Sequence, residues 1–144
     1  MAKTGLEVID RNLHDANAWL KDLAAELGTD DRRHAYRVLR AFFHVLRDRL
    51  TVDEAADLAA QLPPLLRGIY YEGWKPSRTP ETYRDRETFQ ARLAEEALLA
   101  GATEASLAAE GAAKVLRRHV SAGEFDDVLE LLPADVRALL VPTA

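Results

Sequence analysis

Residues 15–70 of this chain, slid by seventy positions, fall without a gap on residues 85–140. Identities recur at Asp15/Asp85, Leu23/Leu93, Ala24/Ala94, Glu26/Glu96, Ala35/Ala105, Val45/Val115, Leu46/Leu116, Arg47/Arg117, Glu54/Glu124, Asp57/Asp127, Leu62/Leu132, Pro63/Pro133 and Arg67/Arg137. Apolar positions, caps and turns are kept and no reactive group is, which is the pattern of a duplicated scaffold. Any architecture for the chain therefore has to be one in which two similar units bury their apolar faces together.

The units read as helical. Ile9, Leu13, Ala16, Leu20, Leu23 and Leu27 alternate spacings of four and three, which predicts an amphipathic helix with one buried stripe ending at Gly28. Thr29 or Asp30 is placed to cap a second helix, with Ala35, Leu39, Phe42, Phe43, Leu46 and Leu50 on its apolar face. Thr51-Val52-Asp53-Glu54 has the form of a capping box, and Ser121-Ala122-Gly123-Glu124 offers the same chemistry seventy residues on. Pro63-Pro64 and Pro133 stop one short helix and start the next. No run of period two and no Asn-Gly or Asp-Gly turn signals a strand. The expectation is an all-α fold: a single domain of residues 1–144, a helical bundle of about eight helices built from two internal repeats (15–70 and 85–140). Halves 6–70 and 81–140 are joined by an aromatic loop over residues 71–80, whose glycine and two prolines break regular structure.

Composition narrows function mainly by exclusion. Without cysteine there is no disulfide framework, thiolate zinc site or Cys nucleophile. A net charge of −5, shared almost evenly by the two halves, gives neither half the basic balance of a nucleic-acid module. No leader-like or membrane-spanning apolar run is present, so a cytoplasmic location is expected.

Leu62-Pro63, then Tyr70-Tyr71-Glu72-Gly73-Trp74 with Pro76, then Arg84-Asp85-Arg86 and Phe89, resembles the bacterial family known as domain of unknown function 2267. The resemblance runs from about residue 6 to residue 140 and implies an all-helical bacterial domain of two related halves. It brings no activity, cofactor or substrate, and only a loose association with bacterial stress functions. Lys75 and the Ser77-Arg78-Thr79 stretch before Pro80 depart from the family's usual pattern.

The residues offer no strong chemical site. His14, His34, His44 and His119 form no paired metal motif, and His34 and His44 lie about 15 Å apart on one helix. Ser77, Ser106 and Ser121 sit in no nucleophile elbow, and no glycine-rich phosphate cradle exists. Asp53, Glu54 and Asp57, partly recurring as Glu124, Asp126 and Asp127, complement helix N-termini. Two features stand out. Arg33, Arg37, Arg40, His44 and Arg47 share one helix stripe, whereas their counterparts Thr103, Leu107, Glu110, Lys114 and Arg117 do not repeat it. Tyr70, Tyr71 and Trp74 cluster beside Arg67, Lys75 and Arg78, in the residue types that anchor interfaces.

These readings predict a non-catalytic protein-binding or regulatory module that needs no cofactor or metal, with a protein partner or a second copy of itself bound through the eight residues of the stripe and the aromatic group. The first alternative is nucleic-acid binding by the Arg33–Arg47 face. The second is an enzyme, which requires two or more of His44, Glu72, Asp85 and Arg86 to converge in a pocket.

Overall fold

The computed structural model describes residues 4–142; residues 1–3 and 143–144 of the expected domain lie outside the described residues. Among the described residues the chain is all-helical, in the order α1 (Glu7–Leu27), α2 (Arg32–Asp48), α3 (Val52–Ala59), α4 (Pro64–Tyr71), α5 (Arg86–Ala97), α6 (Ala102–His119), α7 (Ala122–Leu131) and α8 (Ala134–Leu140). A 3₁₀ turn at Pro76–Arg78 stands between α4 and α5. Tyr71 thus ends α4 and does not open the connecting loop, which starts one residue later than expected.

Local chemistry sets the helix bounds. Asp31, and neither Thr29 nor Asp30, caps α2: its carboxylate accepts from the N–H groups of Arg33 and His34, while the Thr29 hydroxyl accepts from Asp31 N–H. Thr51 and Glu54 complete the expected box at α3. At α7 only half of it forms: Ser121 Oγ accepts from Glu124 N–H at 3.2 Å, and Ser121 N–H turns to Gln61 Oε1 instead. Gly28 closes α1 in the left-handed conformation, φ 68°. Leu98 closes α5 the same way, at φ 59°, with a β-carbon that this region disfavours.

The long helices α1, α2, α5 and α6 form the body. α1 packs on α2 and α6, and α5 packs on α6 and α2. The short helices cover its flanks: α4 lies on α2 and α1, α8 on α6 and α5, and α3 meets α7. Gly111 lets α6 approach α1, since a β-carbon there would stand 3.4 Å from Glu26 Cβ and Leu27 Cδ2. One apolar cluster runs through the molecule and draws on every α-helix. α2 is its centre, with every residue from Ala41 to Arg47 buried.

α1 departs from expectation. Ala16, Trp19 and Leu23 are buried and Leu20 partly so, but Ile9 and Leu13, expected in one buried stripe, are exposed. Their half of the helix has no counterpart in α5, which begins at Arg86, seventy positions after Ala16.

Candidate functional site

The basic stripe of α2 and the aromatic segment meet. His44 Nε2 lies 2.8 Å from the Ile69 carbonyl, and Arg47 Nη1 donates to the carbonyls of Tyr70 and Glu72, each at 2.8 Å. These carbonyls stand at the C-terminal end of α4, the negative end of the helix dipole, where partners within the helix run out; that of Ile69 also accepts from Glu72 N–H at 3.2 Å. Two buried side chains from α2 therefore finish α4. A carbonyl only accepts, so His44 Nε2 carries hydrogen, and its Nδ1 faces Glu96 Oε2 of α5 at 2.6 Å. Arg40 adds a second link across the halves, reaching Glu72 at 2.9 Å and Glu96 at 3.3 Å. The hydrogen bond from Arg40, then its charge, hold the Glu72 carboxyl below the usual range, and Glu72 in turn raises the Arg40 guanidinium.

The aromatic residues lie inward in series. Tyr70 is fully buried, donates its hydroxyl to the Ala55 carbonyl at 2.8 Å, and packs edge-on to Phe43 and to Tyr71; Tyr71 lies 5.2 Å from Trp74. Burial pushes the Tyr70 phenol far up, so it stays a donor. Trp74 is half-buried and its indole N–H has no protein acceptor. On the other side of Phe43, Trp19 continues the series and stacks on His119 at 4.6 Å, with His119 Nε2 held by Asp22 at 2.7 Å. The expected interaction residues thus divide. Tyr70, His44 and Arg47 are consumed by packing; Tyr71, Trp74 and Arg40 are half-buried; Arg37 is half-buried, its Nε covered and without an acceptor; Arg33 is exposed. Neither the Arg33 nor the Arg37 guanidinium lies within 4.0 Å of a described carboxylate oxygen.

Of the residues named for catalysis, His44 and Glu72 come together around Arg40 and Glu96, while Asp85 and Arg86 are engaged elsewhere. His44 has both ring nitrogens engaged, Asp85 caps α5 by accepting from Thr88, and Arg86 pairs with Asp135 at 3.0 Å. Among the described residues no three His, Asp or Glu side chains are placed to hold a metal ion. The cleft nearest the clamp, about 430 Å³, is lined by Val45, Asp48, Glu81, Tyr83, Arg92, Glu95 and Glu96. Three of its four acids are already in use: Glu81 pairs with Arg92, Asp48 with Arg47 and Glu96 with His44, while Glu95 is exposed. Arg49 and Arg92 lie over the Tyr83 ring, whose phenol burial pushes up to about 12.

The surface that sequence reasoning missed is the outer part of α1. Leu6 is 60%, Val8 66%, Ile9 43% and Leu13 37% exposed. Leu65 of α4, 42% exposed, is held beside them by a bond from its N–H to Asn12 Oδ1. Large apolar groups gathered in the open are the signature of a contact surface. The signal was present as a length mismatch: the apolar stripe of α1 is longer than any counterpart in the second half could cover. No described helix is long and apolar enough to cross a membrane, which removes a spanning helix as the reason for this exposure.

A search of curated proteins finds no match to the chain. The family of uncharacterized conserved proteins DUF2267 matches residues 16–139, which leaves the outer half of α1 outside the matched stretch. On that match, spanning the body and both sets of short helices, the chain belongs to the DUF2267 family.

Proposed function

We propose that the chain is a non-catalytic protein-binding module whose contact surface is the outer end of α1. The observation that carries this reading is the unpartnered apolar face of Leu6, Ile9 and Leu13, with Val8 open beside it, on a helix whose inner stripe is packed. Apolar side chains at spacings of three and four on an open helix face are the anchors by which helices are recognised in grooves and by other helices. A regulatory, stress-linked role in a bacterial cytosol belongs to the same proposal and rests on the resemblance to the family.

The test is a double variant, Ile9→Ser with Leu13→Ser. Retained helix content and a melting temperature within a few degrees of wild type, with loss of protein capture, support the reading, because exposed positions contribute little to folding. Unchanged capture contradicts it. Nucleic-acid binding keeps one observation in its favour: among the described residues neither the Arg33 nor the Arg37 guanidinium forms an ion pair. Replacing both by alanine should lower affinity for duplex DNA and flatten its salt dependence if that reading holds; absence of binding by wild type removes it.

A further inference from the structure

We infer that the partner seated on the outer end of α1 is a second copy of this chain, packed antiparallel about a two-fold axis at Ile9. This inference rests on the protein-contact reading and names its partner.

The register of α1 supports it. Leu6, Ile9, Leu13, Ala16, Leu20, Leu23 and Leu27 continue one alternation of three and four, the seam of a helix that packs lengthwise on another. The inner residues of this seam are occupied by the body, while Leu6, Ile9 and Leu13 are open. At about 1.5 Å rise per residue, Leu6 lies about 4.5 Å before Ile9 and Leu13 about 6 Å after it. Reversing one copy brings its Leu6 to within about 1.5 Å of the level of the other's Leu13. Three apolar layers result: Leu6 on Leu13, Ile9 on Ile9, and Leu13 on Leu6, the reciprocity an isologous contact requires.

Charge does not oppose the arrangement. Glu7 and Arg11 pair with each other at 2.7 Å on the far side of α1 from the seam. Asp10, the acid nearest the seam, accepts from both the backbone N–H and the hydroxyl of Thr4.

The area fits a weak, concentration-dependent pair. The layer residues Leu6, Ile9 and Leu13, flanked by Val8 and Leu65, leave roughly 400 Å² of apolar surface open per copy. That lies below the roughly 800 Å² per copy of a standard stable interface.

Engineered cysteines are unique in a chain that has none, which makes cross-linking direct. Sedimentation over a concentration series should give a mass twice the 16.0 kDa of one chain for wild type and a single mass for Ile9→Lys. Mixed Leu6→Cys and Leu13→Cys chains should form a disulfide-linked pair on oxidation, and Glu7→Cys alone should not. Wild type that stays at one mass up to several hundred micromolar, or Glu7→Cys linking as readily as the mixed pair, overturns the inference. A labelled synthetic helix with leucines at the same spacing separates the two levels of the argument. A monomeric chain that binds this peptide through Ile9 keeps the protein-contact reading and loses the second copy; one that neither dimerises nor binds it loses both.

Discussion

The two halves of the molecule carry arginines at positions seventy apart, one pair used alike and the other put to different ends. Arg67 donates to the carbonyls of Ala59 and Leu62, and Arg137 to those of Leu129 and Leu132, so each closes a short-helix corner in the same manner. Arg47 and Arg117 do not correspond in this way. Arg47 is buried and holds the end of α4, whereas Arg117 is exposed and lies over the Phe125 ring at 5.5 Å. α1 and α5 also part company, since α1 alone carries outer turns with open apolar residues. What the halves share is corners and caps; what they do not share is a polar clamp in the first half and a projecting apolar helix end. A function resident in one half is the reading this asymmetry favours.

Substitutions can break or sharpen that comparison. The largest effect is expected at Arg47→Ala, which leaves the Tyr70 and Glu72 carbonyls without their donor inside the protein and should cost about 3 kcal/mol in urea unfolding. Arg117→Ala should cost less than about 1 kcal/mol, the scale of an exposed cation–π contact. Equal losses at the two positions would erase the distinction drawn between them. Arg67→Ala and Arg137→Ala should each cost about 1–2 kcal/mol and differ little, because they lose bonds to matching carbonyls.

Helix ends give a smaller, opposite pair. Leu98→Gly should stabilise the protein by about 0.5–1 kcal/mol by relieving a left-handed leucine, while Gly28→Ala should destabilise it by about 1 kcal/mol at the equivalent cap. Melting curves decide both signs, and a destabilised Leu98→Gly would show that the 77% exposed leucine has a partner that matters to the fold.

Glu54 and Glu124 differ most subtly. Glu54 returns to the Thr51 N–H and completes its box, so Glu54→Ala should lose about 0.5–1 kcal/mol. Glu124 has no such bond, and burial, then Asp57 and Asp127, push its carboxyl above the usual range. The folded state then binds a proton more readily than the unfolded chain. That contribution to stability is present at low pH and lost as pH rises from the ordinary carboxylate value through the raised one. Glu124→Gln should therefore melt slightly higher than wild type at neutral pH, with the difference vanishing in acid. A variant less stable at pH 7 would contradict this account of Glu124.

Much of the fold was legible because short-range chemistry decides it. Thr51-Glu54, Pro63, Pro133 and Gly28 each carry their own start or stop signal, and the alternation of apolar residues marks the long helices. The candidate site was less legible. Arg40, His44 and Arg47 read as an outward stripe, yet α2 is apolar on nearly all sides, with Ala41, Phe42, Phe43, Val45 and Leu46 buried around them. A helix of that kind is central, and a charged residue on it must find a buried partner. The partners, three carbonyls around the end of α4, carry no side-chain signature and depend on tertiary placement. The open face of α1 was hidden for the reverse reason: periodicity shows which residues share a face, and only the length of the neighbouring helices shows where that face ceases to be covered.

The central claim, that the outer turns of α1 are a contact surface shared by two copies, is tested most directly by amide hydrogen exchange of the intact chain at low micromolar and at several hundred micromolar concentration. Exchange over residues 7–15 should slow markedly at the higher concentration while residues 86–97 of α5 stay unchanged. Identical exchange of residues 7–15 at both concentrations, with the chain at a single mass throughout, would contradict it.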